Sequence, residues 1–140
     1  MITHFDLMNP EVNWNYRTIL VVDDVEPNRK YLTEALELTH AKIEQAKNGT
    51  EAIQKCLNNK EIDLVLMDLH LPGISGLAAT REIKKQRDDV TIIAQTAFVL
   101  SGERQKTIEA GCDEYIAKPI RTNELIIKIR NCLINAGKKA

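Results

Sequence analysis

Short apolar runs alternate with amphipathic stretches along most of this chain. The run from Thr18 to Val22 has no polar alternation, which indicates a strand buried on both faces of a sheet. The strongest such run lies at residues 62–67. Three further strands are predicted, a weak one at residues 41–46 and two others at 90–94 and 113–117. The pattern therefore predicts five strands separated along the chain.

Each predicted strand is followed by a stretch with helical spacing. In the first of these stretches, which begins near Pro27, residues Leu32, Ala35 and Leu36 fall on one stripe. The other helices are predicted around residues 52–57, 77–85, 101–111 and 122–136, and Gly137 is expected to end the last one. Strands that alternate with helices predict crossover units, a parallel sheet and helices on both of its faces. The predicted fold class is therefore α/β.

The residues that follow the strands carry the candidate chemistry. Ligands of open parallel sheets bind beyond the carboxyl ends of the strands, so side chains at these positions should converge on one edge. They are Asp23 and Asp24 after the first strand, Asp68 after the third, Thr96 after the fourth, and Lys118 with Pro119 after the fifth. The sequence thus predicts a pocket that holds carboxylates, a hydroxyl and an ammonium group.

Such a pocket suits a phosphoryl group and a divalent cation. Carboxylates packed together repel one another unless a cation lies between them, and Mg²⁺ prefers carboxylate, water and phosphate oxygens. Asp68 could then attack a phosphoryl group as a nucleophile. The metal and Lys118 would neutralise charge on the phosphoryl oxygens, and Thr96 could donate a hydrogen bond to them.

Length, charge and cysteine content narrow the function classes. The 140 residues suggest one domain, and 19 Lys and Arg against 20 Asp and Glu give a net charge of −1. This balance argues against a broad nucleic-acid surface and against a polybasic membrane anchor, and no apolar run approaches a membrane span. The cysteines, at positions 56, 112 and 132, lack metal-ligand spacing, so we expect reduced packing residues in a cytoplasmic protein.

The expected domain organisation is a single globular unit with short ends. Residues 1–16 form an N-terminal extension or linker, 17–136 the domain and 137–140 a solvated tail. Trp14, the one tryptophan, is expected either to pack the extension onto the domain or to belong to a linker from a larger parent.

The ordered motifs resemble the receiver (response-regulator) domains of two-component signalling. The resemblance covers residues 17–133, and its matching stretches are 19–24, 63–73, 92–97 and 110–119. It implies a flavodoxin-like (βα)5 fold, a doubly wound sheet with strand order 2-1-3-4-5. The sequence around these stretches looks most like the C-terminal receivers of hybrid sensor histidine kinases. Ser75 departs from this pattern, because the family often has Asp there.

The resemblance also implies specific roles for the residues at the strand ends. Asp68 would accept a phosphoryl group from a phosphohistidine on a partner protein. Asp23 and Asp24 would hold Mg²⁺ together with Asp68 and the backbone carbonyl of His70. The chain would not be an enzyme, except that it would catalyse its own phosphorylation and dephosphorylation. It would signal through a phosphorylation-driven conformational switch.

The resemblance also assigns residues to the family's switch and to its partner-binding surface. Thr96, Ala97, Tyr115 and Lys118 match the phosphate-binding and switch positions, and the Lys118–Pro119 step is usually a cis bond in the family. The expected partner is a histidine kinase or a histidine phosphotransfer domain rather than nucleic acid. Candidate contacts to its helical bundle are Asn28, Tyr31, Pro119 and Ile120.

Three other functions fit these residues less well than a receiver does. A degenerate receiver that acts only as a protein-binding scaffold is disfavoured by the complete set of acidic, hydroxyl and lysine residues. A hydrolase of the haloacid dehalogenase class places a second Asp two residues after its nucleophile, and Asp23 and Asp24 do not fit that spacing. A flavodoxin is disfavoured because its first loop should be rich in Ser, Thr and Gly, whereas this loop is acidic.

Overall fold

A parallel five-stranded sheet forms the centre of the molecule. The computed structural model describes residues 13–97 and 101–139. In chain order the strands are β1 (Thr18–Val22), β2 (Lys42–Ala46), β3 (Ile62–Asp68), β4 (Thr91–Thr96) and β5 (Glu114–Ala117). Their order in the sheet is β2-β1-β3-β4-β5, and every neighbouring pair is parallel. The predicted fold and strand order are therefore confirmed.

One helix follows each strand. The helices are α1 (Glu26–Glu37), α2 (Gly49–Asn58), α3 (Gly76–Gln86), α4 (Ser101–Ala110) and α5 (Thr122–Lys139). Asn48 caps α2, because its side chain accepts a hydrogen bond from the Glu51 N–H. Ser75 caps α3 in the same way and accepts a hydrogen bond from the Ala78 N–H. The prediction that Gly137 ends α5 was wrong. A glycine inside a helix costs about 1 kcal/mol but does not forbid helical dihedral angles.

The central strands are buried on both faces, which explains their lack of polar alternation. Ile19 and Val21 pack into the apolar layer beneath α1 and α5, whereas Leu20 and Val22 pack into the layer beneath α2 and α3. Trp14 is 1% exposed and joins the first of these layers, and its backbone N–H donates to the Thr39 carbonyl at 2.7 Å. The segment just before β1 is therefore packed onto the domain.

No helix within residues 13–97 and 101–139 combines the length and the apolar character needed to cross a bilayer.

Candidate functional site

Three carboxylates converge at the carboxyl edge of the sheet. Asp23 directly follows β1, and Asp68 is the last residue of the adjacent strand β3. Each of Asp23, Asp24 and Asp68 offers a carboxylate oxygen, and these oxygens all lie within 4.8 Å of one another. The fold thus brings together the acidic residues that the sequence predicted to meet.

Two of these carboxylates are held in place by backbone groups. Asp23 is fully buried, and its Oδ1 accepts the Val25 N–H at 2.9 Å. Asp68 is 3% exposed, and its Oδ1 accepts the His70 N–H at 3.0 Å. Asp24, in contrast, is exposed. The cluster therefore combines two fixed carboxylates with one that solvent and ligands can reach.

Lys118 supplies positive charge to the same cluster. It directly follows β5, and its Nζ lies 3.5 Å from Asp23 Oδ2 and 3.3 Å from Asp68 Oδ2. One ammonium group beside three carboxylates leaves a surplus of two negative charges. Closely packed carboxylate oxygens with that surplus suit a hard divalent cation such as Mg²⁺.

The hydroxyl predicted at the end of β4 lies beside α4. Thr96 is 1% exposed, and its Oγ1 donates to Glu103 Oε1 at 3.5 Å. The same carboxylate oxygen lies 3.8 Å from His70 Nε2. Ala97 follows Thr96 and is exposed. Glu103 on α4 therefore contacts both Thr96 at the end of β4 and His70 just after β3.

Tyr115 occupies a different environment from the acidic cluster. It lies on β5 and is half-buried, and its ring is flanked by two cations. Arg104 Cζ is 5.6 Å and Lys128 Nζ is 5.4 Å from the ring centroid. The ring thus lies between α4 and α5, where cation–π contacts stabilise its position.

The predicted partner-contact residues gather around one cavity beside the carboxylates. The cavity has a volume of about 610 Å³ and is lined by Asn28, Tyr31, Pro119 and Ile120 together with Asp23 and Lys118. The Tyr31 hydroxyl donates to the Ile120 carbonyl at 2.9 Å and so ties α1 to the segment before α5. The Lys118–Pro119 peptide bond is cis.

Three residues at the site were missed by sequence reasoning. The Arg29 guanidinium donates to the Asp23 carbonyl at 2.7 Å. Gln95 is fully buried and donates from Nε2 to the Val22 carbonyl at 3.4 Å. A glutamine directly after the predicted fourth strand was a signal for Gln95, and an arginine one turn after the acidic pair was a signal for Arg29. Glu103 had no such signal, because its role depends on how α4 lies against β4.

Gly76 allows α3 to begin directly against the backbone of Asp68. A Cβ atom at this position would lie 2.1 Å from the Asp68 carbonyl oxygen and 2.8 Å from Leu69 Cα. The Gly76 N–H donates to the Leu69 carbonyl at 3.2 Å. A glycine is therefore needed here for close approach, and it helps to place Asp68.

The three cysteines, Cys56, Cys112 and Cys132, are free thiols. Burial raises the pKa of Cys56 and of Cys132 to about 11, and it also raises the pKa of Cys112. Because the thiolate is the reactive form, these thiols are poor nucleophiles at neutral pH. This environment agrees with the expectation of reduced packing residues.

Comparison with known proteins gives one family. The family described as "Response regulator receiver domain" matches residues 19–130. The polar-differentiation response regulator DivK of Brucella anthropi is 32% identical over 122 residues, which cover 86% of this chain and 98% of that protein.

Two solved structures are similar in both sequence and fold. The receiver domain of the sensor histidine kinase PA1611 from Pseudomonas aeruginosa, with a magnesium ion in its active-site cleft, is 33% identical with a TM-score of 0.76, and the match covers 85% of this chain and 98% of that one. The receiver domain of Ssk1 from Saccharomyces cerevisiae, in complex with the histidine phosphotransfer protein Ypd1, is 30% identical with a TM-score of 0.75, covering 81% and 86%. The chain belongs to the response regulator receiver domain family.

Proposed function

We propose that this chain is a phosphoacceptor and that Asp68 takes a phosphoryl group from a phosphohistidine on a partner protein. The observation that carries the proposal is the position of Asp68, which is almost fully buried yet lies 3.3 Å from Lys118 Nζ and beside two further carboxylates. In the transfer, an Asp68 carboxylate oxygen forms a P–O bond while the P–N bond to the donor imidazole breaks. The electron pair of the broken bond leaves with the imidazole, which takes up a proton.

The neighbours of Asp68 have complementary roles in this transfer. The His70 N–H holds Oδ1, whereas Lys118 lies next to Oδ2 and can follow the charge onto the phosphoryl oxygens. Asp23, Asp24 and Asp68, with the His70 backbone carbonyl, would hold Mg²⁺. When bound, this ion would neutralise charge on the transferring phosphoryl group. The magnesium in the PA1611 receiver supports this assignment.

The proposed switch joins the phosphoryl group to the face formed by α4, β5 and α5. The Thr96 hydroxyl and the Ala97 N–H would bind the new phosphoryl oxygens, and the Tyr115 ring would follow Thr96 inward. Tyr115 now contacts Arg104 on α4 and Lys128 on α5, so its movement would change contacts on both helices. A ligand shifts such an equilibrium only through contacts that differ between the two states, and the phosphoryl–Thr96 hydrogen bond supplies one.

The partner would be a histidine kinase or a histidine phosphotransfer domain. Asn28, Tyr31, Pro119 and Ile120 surround the cavity that opens beside Asp23 and Lys118, so a donor docked there could reach the carboxylates. The complex of the Ssk1 receiver with Ypd1 supports this class of partner. Similarity to the PA1611 receiver supports a relationship to hybrid histidine kinases. The cytoplasmic location and the absence of nucleic-acid binding stay predictions. So does the division of the chain into residues 1–16, 17–136 and 137–140.

Incubation with Mg²⁺ and acetyl phosphate should add one phosphoryl group to the wild-type chain, as measured by intact mass. The adduct should be absent from Asp68→Asn and when EDTA removes the metal ion, because each change removes a required group. Asp88→Asn, which changes an exposed carboxylate at the opposite end of β4, is the matched control and should form the adduct normally. If no adduct forms with acetyl phosphate or with a phosphohistidine partner, the chain is a protein-binding scaffold instead.

Binding of Mg²⁺ should raise the thermal stability of the chain, since the ion relieves repulsion among carboxylates that only the fold brings together. At a concentration one hundred times its dissociation constant, a ligand stabilises the folded state by about 2.7 kcal/mol. In Asp24→Asn the Mg²⁺-dependent increase in Tm should shrink, and the metal-free protein should be at least as stable as the wild type. Equal Mg²⁺-dependent increases in both proteins, measured beside the Asp88→Asn control, would contradict the proposed ligand set.

A further inference from the structure

Glu103 connects two residues of the phosphorylation site to the start of α4. Its side chain is 22% exposed, and one oxygen, Oε1, lies 3.5 Å from Thr96 Oγ1 and 3.8 Å from His70 Nε2. Thr96 itself is 1% exposed. A largely enclosed carboxylate is therefore directed at the hydroxyl that the proposed switch would use.

The Thr96 hydroxyl has a single hydrogen to donate. In the unphosphorylated chain, Glu103 accepts that hydrogen bond. A phosphoryl oxygen on Asp68 would be a second anionic acceptor for the same hydrogen. The two acceptors therefore compete, and Thr96 must leave one of them to bind the other.

The helix that carries Glu103 is held by few buried apolar side chains. Ile108, its one large aliphatic residue, is 55% exposed, whereas Thr107 and Ala110 are the residues of α4 that are buried between positions 102 and 110. The contact to Thr96 therefore links the start of α4 directly to the carboxyl edge of the sheet.

We infer that Glu103 is a positioning residue, which restrains the Thr96 hydroxyl in the unphosphorylated chain and makes the start of α4 respond to phosphorylation. This inference rests on the proposed function of Asp68 as phosphoacceptor. Glu103 disfavours the switched state in two ways, because it occupies the Thr96 hydrogen and because its charge repels the incoming phosphoryl oxygens. Its removal should therefore favour that state.

The first test uses trifluoroberyllate in the presence of Mg²⁺, because a beryllium trifluoride bound to a carboxylate oxygen is tetrahedral and resembles an aspartyl phosphate. Glu103→Ala should lower its dissociation constant roughly three- to tenfold, the size expected for one ordinary side-chain hydrogen bond, because the 3.5 Å contact is a long one. Glu109→Ala removes an exposed carboxylate from the same helix and should leave the constant unchanged. Identical constants for the wild type and Glu103→Ala would overturn the inference.

A double-mutant cycle separates positioning from simple charge removal. Because only the charge repulsion remains when the hydroxyl is absent, Glu103→Ala should have a smaller effect in a Thr96→Val background. If Glu103→Ala lowered the trifluoroberyllate dissociation constant just as much in that background, charge alone would act and the positioning role would be overturned. Glu103→Gln, which keeps an acceptor but loses the charge, should fall between the wild type and Glu103→Ala.

A second readout uses the unphosphorylated chain alone and needs no ligand. NMR scalar couplings should show one dominant χ1 rotamer for Thr96 in the wild type and in Glu109→Ala, but averaging between rotamers in Glu103→Ala. An unchanged single rotamer in Glu103→Ala would refute the restraint. If the rotamer averages as expected but the wild type neither binds trifluoroberyllate nor becomes phosphorylated, the proposed function fails while the restraint stands.

Discussion

Alanine in place of Gly76 is expected to destabilise the chain by about 3 kcal/mol or more and to displace the backbone of Asp68. The added Cβ would lie 2.1 Å from the Asp68 carbonyl oxygen and 2.9 Å from its carbonyl carbon. These are backbone atoms of a central strand, so they cannot turn aside as a flexible side chain would. Either α3 or the end of β3 must move, and both movements disturb the carboxylate proposed to react.

Denaturant unfolding of Gly76→Ala and of its control, Gly102→Ala, tests this expectation. Nothing lies within 4 Å of a Cβ at Gly102, which belongs to α4, so that substitution should be neutral or mildly stabilising. The folded fraction of Gly76→Ala should also accept a phosphoryl group more slowly than Gly102→Ala. Equal unfolding midpoints for the two variants would mean that α3 can shift without cost.

Replacement of Arg87 with methionine should destabilise the fold by about 3–5 kcal/mol, because several buried carbonyls lose their donor and each buried polar group left without a partner costs about 1–3 kcal/mol. Arg87 is 3% exposed and ends α3. Its guanidinium donates at 2.9–3.3 Å to backbone carbonyls of four residues, which are Cys56, Asn59, Lys60 and Ile62. Methionine fills a similar volume but leaves these carbonyls without that donor.

Urea unfolding of Arg87→Met against Arg81→Met measures this effect, because Arg81 is an exposed arginine on the same helix. A hydrogen bond from Arg87 also lowers the pKa of Asp89. A depressed carboxyl pKa stabilises the folded state above the unfolded pKa, and the benefit disappears as the pH falls through the folded value. Arg87→Met should therefore return the pKa of Asp89 to its usual range. If Arg87→Met lowers the free energy of unfolding by less than about 1 kcal/mol, water must replace the guanidinium at these carbonyls.

Apolar patterning predicted most of the fold because the central strands are buried on both faces. β1 was placed at its observed bounds, since five consecutive buried positions leave no room for polar residues. The same argument placed Asp23, Asp68 and Lys118 at one edge, because each follows a strand. Helix ends were less predictable: α5 continues through Gly137, where packing and local dihedral angles outweigh the propensity of one residue.

Contacts between distant elements could not be predicted from the sequence pattern. Thr96 and Glu103 are seven residues apart, yet their contact depends on the angle at which α4 leaves the sheet. The contacts of Arg87 reach residues 25 to 31 positions away, and no local pattern distinguishes that arginine from the exposed Arg81. Tyr115 was predicted as a switch residue, and its neighbours Arg104 and Lys128 became evident only in the folded chain.

The central claim is that Asp68 itself carries the phosphoryl group, and chemical mapping of the modified residue tests it most directly. Borohydride reduces an aspartyl phosphate to homoserine, so treatment of the phosphorylated chain followed by peptide mass analysis identifies the position. Homoserine is expected at position 68 in the wild-type chain and is expected to be absent from Asp68→Asn. Homoserine at position 23 or 24, or a phosphoryl group that stays on a histidine or a hydroxyl, would contradict it.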